Sequence, residues 1–175
     1  MNYLCTSFPE AISNKEDEAY TDGMDLVLCC YNKKNRELSF SGAKNPLLLI
    51  RNGELTNFST NRYSIGSNPI IKGECYTEES FITQKDDIIY LFSDGYADQF
   101  GGPKGKKFKI KTFKELLLKI SALSIEKQAL ELKTNMKNWM NEEEQIDDIL
   151  VIGVSFDFDK EHTTQISPTQ SLTHK

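Results

Sequence analysis

Asp87-Ile88-Ile89-Tyr90-Leu91-Phe92-Ser93-Asp94-Gly95 reads as a strand that stops on an acid. Ile88–Ser93 is apolar at nearly every position rather than alternating, so it is expected to be a central strand covered on both faces. Asp94-Gly95 then breaks it. A second stretch, Asp147-Asp148-Ile149-Leu150-Val151, is laid out in reverse, with acids first and then an apolar strand running to Ser155. If the two strands are antiparallel neighbours, the end of one lies beside the start of the other, and the carboxylates of Asp94, Asp147 and Asp148 converge on one rim of a sheet. Converging carboxylates repel each other unless a cation neutralises them. An all-oxygen donor set selects a hard divalent ion such as Mg²⁺ or Mn²⁺. On these residues alone another reading stands beside this one, because Asp-Gly after a strand is also an ordinary turn and Asp before a strand an ordinary loop residue.

Working outward, Met24–Tyr31 and Leu38–Gly42 read as strands joined by the polar turn Asn32–Arg36. Leu47–Arg51 and Glu54–Phe58 read as a hairpin around Asn52-Gly53, a pair that tolerates positive φ. The expected result is a meander of short antiparallel strands. Ser64–Lys72 reads as loop and Cys75–Thr83 as a further strand. Tyr96–Phe100 suits one helical turn, and Gly101–Lys107 a flexible lysine-rich loop. Thr112, with Glu115 three residues on, predicts the N-cap of a helix carrying Phe113, Leu116, Leu117 and Ile120. Ser124 predicts the cap of a second helix running to about Met140, with an apolar stripe of Ala129, Leu130, Leu132, Met136 and Trp139. Antiparallel strands plus a helical pair give a layered α/β sandwich, antiparallel sheets flanked by helices. Residues 1–20 read as an extended lead-in or a short, truncated helix, 21–156 as the domain, and 157–175 as a polar tail expected to be disordered.

Composition narrows the function classes. The 175 residues carry a net charge of −5, which argues against a general nucleic-acid binder. The longest apolar runs, among them Leu26–Tyr31 and Ile149–Val154, fall well short of the roughly 20 residues that span a bilayer. No basic segment followed by an apolar run opens the chain, so no signal peptide is expected. Cys5, Cys29, Cys30 and Cys75 show no CxxC or zinc spacing. They are read as buried or half-buried free thiols of a cytoplasmic protein, with Cys29 and Cys30 on opposite faces of a strand. Both histidines, His162 and His174, lie in the tail, so histidine-based catalysis in the folded part is not expected.

Four motifs occur in order: Asp22-Gly23-Met24-Asp25; Ser39-Phe40-Ser41-Gly42-Ala43-Lys44-Asn45-Pro46-Leu47 followed by Ile50-Arg51-Asn52-Gly53-Glu54; Asp87 to Gly95; and Asp147 to Val151. Together they resemble the bacterial SpoIIE-like phosphatases of the PPM (protein phosphatase 2C type) superfamily, over residues 20–156. The resemblance implies two central antiparallel sheets flanked by helices and a binuclear Mg²⁺/Mn²⁺ site. Asp94 matches the metal-binding aspartate of the family's Asp-Gly motif, and Asp147 that of its final Asp-Asp/Asn motif. Asp148 is a weaker candidate behind the ligands, and Gly95 matches the glycine that lets the backbone turn close to the metals. The implied chemistry is metal-assisted hydrolysis of protein phosphoserine or phosphothreonine, with no catalytic residue beyond the metal-held water. The implied substrate is a regulator of the anti-anti-sigma kind, in signal transduction.

The sequence departs from that family where an upstream Gly-Asp-x-x-Gly-His-Gly-type segment, whose aspartate bridges both metals, would stand. Met1–Tyr20 contains Glu10, Glu16, Asp17 and Glu18 but no glycine. The resemblance thus covers roughly the later two-thirds of a domain, and weak or no activity of this segment alone is expected. An incomplete sheet would also expose an edge, which favours self-association. Asp86 stands where the family often has glycine, a place Asp tolerates. Lys104, Lys106, Lys107, Lys109 and Lys111 interleave with Phe108 and Ile110. They read either as a solvated loop with Phe108 tucked into the core, or as a flap beside the metal rim that attracts a phosphorylated protein. The alternative function is a non-catalytic interaction module, or a truncated remnant, in partner-switching signalling.

Overall fold

The computed structural model describes residues 23–65 and 76–157. The readings of residues 1–20 as lead-in and of the tail beyond Asp157 lie outside the described residues, as do Cys5, Cys75 and most of the Ser64–Lys72 loop. The chain divides into two compact units, one within Met1–Leu48 and Thr56–Gln84, the other within Leu49–Leu55 and Lys85–Lys175.

The first unit is built on a three-stranded antiparallel sheet of β1 (Leu26–Asn32), β2 (Glu37–Ala43) and β5 (Glu78–Ile82), in the order β1-β2-β5. The β1–β2 hairpin pairs Leu26 with Ala43 and Asn32 with Glu37. Its turn is shaped locally: Asn32 Oδ1 accepts from Lys34 N–H, and Asn35 Oδ1 from Glu37 N–H. Central β2 turns Leu38 and Phe40 into the core. Phe40 meets Phe58 edge-on at 5.3 Å, and Phe58 stacks on Phe81 at 5.3 Å. A second cluster gathers Ala43, Ile65 and Tyr76 with Met24, Leu26 and Tyr63. The β1 alternation separates the cysteines as expected. Cys30, however, is exposed rather than half-buried, because the outward-facing positions of β1 stay in solvent.

A four-stranded sheet runs in the order β4-β3-β6-β9, formed by β3 (Leu47–Arg51), β4 (Glu54–Phe58), β6 (Asp87–Phe92) and β9 (Val151–Phe156), with Leu49–Leu55 and all of β6 and β9 in the second unit. The expected meander is therefore not one sheet: the chain changes sheets between Ala43 and Leu47. Strand patterns identify partners poorly, because pairing is decided by how faces pack. Asn52 and Gly53 take φ of 52° and 76°, the positive values a tight two-residue hairpin turn needs. Asp86 takes φ 66° and fills the glycine-type turn position. β6 is buried at every residue but the half-buried Leu91. Beyond it come α1 (Gly95–Asp98), the two-residue strands β7 (Phe100–Gly101) and β8 (Lys106–Lys107), α2 (Ile110–Ile120) and α3 (Ile125–Met140).

Several local expectations shift. Gly101–Lys107 is a small antiparallel hairpin, with Phe100 opposite Lys107, rather than a flexible loop. Gly101 and Gly102 let Trp139 lie directly against its backbone. Helix α2 begins before Thr112, with Lys109 as cap at φ 76° and no side-chain capping bond. Burial of Phe108 against Tyr96 and Trp139 fixes the chain there, so the helix starts as soon as it leaves that anchor. On α3 the buried face is Gln128, Leu132 and Met136, while Ala129 and Leu130 face solvent. Gln128 turns inward because its amide donates to Ser121 O and Leu123 O, and its oxygen accepts from the Tyr90 hydroxyl. These bonds satisfy polar groups that hydrophobic periodicity does not count.

One charge sits in this core. Asp87 opens β6 with no exposed side-chain surface, and Arg51 grips it bidentately through Nε (2.8 Å) and Nη2 (2.6 Å). That bond raises the Arg51 pKa above its usual value. Removing one partner of a buried pair strands the other charge. Arg51→Ala is therefore expected to lower stability by about 3 kcal/mol in urea unfolding.

Burial also raises the Cys29 thiol from 9.0 to about 11, and the Tyr90 and Tyr96 phenols above their ordinary 10.0. The folded state keeps these protons at pH values where the unfolded chain releases them. Their contribution is thus fully present below about pH 9 and is lost as pH rises toward 11 and beyond. Thermal unfolding should show a falling Tm over that window, and Cys29→Ala should delay its onset.

Candidate functional site

The β6–β9 pairing is antiparallel, with Asp87 opposite Phe156 and Phe92 opposite Val151. Beyond this last pair Ser93 continues the ladder by other means. Its N–H donates to Leu150 O (3.0 Å), its Oγ accepts from Leu150 N–H (2.9 Å), and its hydroxyl donates to Asp148 O (2.7 Å). Strand β9 starts at Val151 rather than Ile149, because the Ser93 side chain takes the Leu150 N–H that a backbone ladder would use. Gly95 packs on the same segment: a Cβ there would overlap Asp148 O and stand 2.9 Å from its carbonyl carbon. The backbones bearing Asp94 and Asp147-Asp148 therefore lie side by side at one end of the β6–β9 pair.

All three aspartates are exposed. Asp94 occupies the N-cap position of α1 yet makes no side-chain capping bond, so its carboxylate is not used up in holding the turn. Asp147 Oδ1 accepts from Asp148 N–H (2.7 Å), and Asp147 O accepts from Gln145 Nε2 (2.7 Å). Oxygen donors at a solvent-facing rim fit a hard divalent cation in kind. In number they fall short, since no group of three His, Cys, Asp or Glu side chains able to hold a metal forms among the described residues.

Sequence reading missed Gln99. It is fully buried, donates through Nε2 to Glu144 O (2.8 Å) and accepts at Oε1 from Ile146 N–H (3.3 Å). Its backbone oxygen accepts from Trp139 Nε1 (3.0 Å) and Phe108 N–H (3.0 Å). A glutamine amid charged and turn-forming neighbours gives no sequence signal for such a hub. In the lysine-rich hairpin Phe108 is buried, while Lys104 and Lys106 are exposed. Lys107 pairs with Asp98 at 2.7 Å, with both side chains nearly half exposed, a contact of small energetic weight.

In the first unit, Asp25 of the leading motif accepts from the Ser64 hydroxyl and lies 3.7 Å from Lys44 Nζ. Gly42 is required by close approach, because a Cβ would stand 2.7 Å from Thr60 Cβ.

The family model for stage II sporulation protein E (SpoIIE) matches residues 5–157. The chain belongs to the SpoIIE family. Solved structures agree on the fold. The SiaA-PP2C domain of Pseudomonas aeruginosa matches with a TM-score of 0.66 and 26% identity, over 75% of this chain and 51% of that one. The Mn-presoaked phosphatase domain of SpoIIE from Bacillus subtilis matches at 0.57 and 18%, over 90% and 66%. The catalytic domain of the serine/threonine phosphatase PstP, in complex with 2 manganese ions, matches at 0.54 and 13%, over 86% and 64%. No curated protein matches the sequence significantly. This SpoIIE-family chain has the antiparallel sheets and flanking helices of PP2C-type phosphatase domains. It spans about half the length of the SiaA domain and just under two-thirds of the other two.

In this SpoIIE-family chain Gly95→Ala must push the Asp94 turn away from Asp148. A loss of about 1–3 kcal/mol is expected from the overpacking, read as a drop in the urea midpoint.

Proposed function

We propose that Asp94 and Asp147 hold a divalent cation, Mg²⁺ or Mn²⁺, in a phosphatase domain that acts on phosphoserine or phosphothreonine of a bacterial regulatory protein. The observation that carries this is the Ser93-stitched rim, which brings an uncapped Asp94 beside Asp147-Asp148. Their carboxylates supply hard oxygen donors; Asp148 sits behind them, and Gly95 allows the close approach. When bound, such a cation polarises phosphoryl oxygens and lowers the pKa of water.

The proposed partner is a phosphorylated protein of the anti-anti-sigma kind. Lys104 and Lys106, with Lys107 partly engaged by Asp98, offer it a positive hairpin tip. A cytoplasmic setting accords with the absence, among the described residues, of any helix long and apolar enough to cross a membrane. Self-association draws on the exposed Leu150 and Ile152 beside and on β9, the outermost strand of its sheet. One observation favours a second reading, a non-catalytic interaction module: the described residues assemble no three-ligand group.

The 175-residue chain should therefore bind Mn²⁺ weakly and hydrolyse p-nitrophenyl phosphate at or near background. Asp94→Asn and Asp147→Asn should each raise the Mn²⁺ Kd by about tenfold or more, measured by electron paramagnetic resonance of free Mn²⁺. Affinity unchanged in both variants overturns the metal reading. Robust turnover abolished by Asp94→Ala overturns the expectation of weak activity.

A further inference from the structure

Asn141–Asp148 leads from α3 to β9 with every residue exposed and no regular secondary structure. Burial does not place it. Two side chains do. Gln99 takes Glu144 O and Ile146 N–H; Ser93 takes Asp148 O and Leu150 N–H. Asp147 is the residue between these two grips. In the chain that supplies them, Asp94 stands between Ser93 and Gln99. Each aspartate is thus bracketed by the bonds that hold the other.

The grips are themselves rigid. Gln99 is fully buried, its N–H donates to Gly95 O (3.1 Å), and its carbonyl is held by Trp139 and Phe108. Ser93 is fixed by its own N–H to Leu150 O (3.0 Å). The Ser93 hydroxyl is already engaged by Asp148 O and Leu150 N–H, and the Gln99 amide is buried with its oxygen on Ile146 N–H, so the effect of either on a cation passes through the aspartates.

We propose that Ser93 and Gln99 form a two-point clamp on Glu144–Leu150 that fixes where Asp147 stands relative to Asp94, making both positioning residues for the cation site. This rests on the metal reading of Asp94 and Asp147 given above. A side-chain hydroxyl and a buried amide suit this role because each has a donor and an acceptor, so each holds one carbonyl and one N–H of the passing chain.

Two readouts on the 175-residue chain test the clamp: the Mn²⁺ Kd, and NMR hydrogen exchange of the Ile146 and Leu150 amides. Ser93→Ala is expected to speed Leu150 exchange and raise the Kd, each by about five- to tenfold. Gln99→Ala should do the same with Ile146 as its reporter. Ser93→Thr, which keeps the hydroxyl, should restore both values. Gln99→Met, which keeps the bulk but neither the donor nor the acceptor, should speed Ile146 exchange and raise the Kd as alanine does; Ser93→Thr and Gln99→Met decide the matter if an alanine variant fails to fold. Alanine variants that show native circular dichroism and wild-type Kd, while Asp94→Asn and Asp147→Asn weaken binding, overturn the clamp and leave the metal reading standing. Unchanged Kd in all four overturns the metal reading. The positioning role then falls with it, whatever the exchange rates of the Ile146 and Leu150 amides.

Discussion

The antiparallel pairing of β6 with β9, closed at its end by Ser93, is the constraint on which the site depends. A register in which Phe92 faces Val151 leaves the next residues of both strands at one rim. Ladder bonds alone would let the ends fray there. Ser93 prevents this by binding one carbonyl and one amide of the segment that leads into β9, and Gly95 allows the approach because it has no Cβ to collide with Asp148. The backbones that carry the acids are thus brought together by neutral groups.

Two aspartates at the two ends of β6 have opposite fates. Asp87, at its start, is wholly buried and held bidentately by Arg51. Asp94, just past its end, is exposed and makes no cap bond. A buried carboxylate needs its partner inside the fold, whereas an exposed one stays available to a cation from solvent. The difference separates a structural acid from a candidate ligand, although the two stand at opposite ends of one strand and lie seven positions apart in the sequence. Around the second, Gln99, Trp139 and the Phe100–Lys107 hairpin form one continuous packed and hydrogen-bonded support.

Much of this is legible locally. β3 and β4 fall where the apolar runs and Asn52-Gly53 put them, since a turn that needs positive φ is written in the residues that tolerate it. Helix α3 starts after Ser124 and ends at Met140, as its pattern predicts. The misses have a common cause. Thr112 has the chemistry of a cap, but burial of Phe108 starts the helix earlier. Leu130 has the chemistry of a core residue, but Gln128 faces inward because carbonyls of the preceding turn need its amide. Periodicity counts apolar faces and cannot weigh a buried polar group that is satisfied only after packing.

The sequence by itself determined the strands, the tight turns and the order of acidic motifs, because these follow from side-chain pattern and backbone freedom within a few residues. Only the tertiary structure decided that Asp94 and Asp147-Asp148 share a rim, and that Gln99 and Ser93 hold them there. Those contacts join positions about fifty residues apart, and which distant hydrogen-bonding groups meet is fixed by the register and packing of the folded sheet.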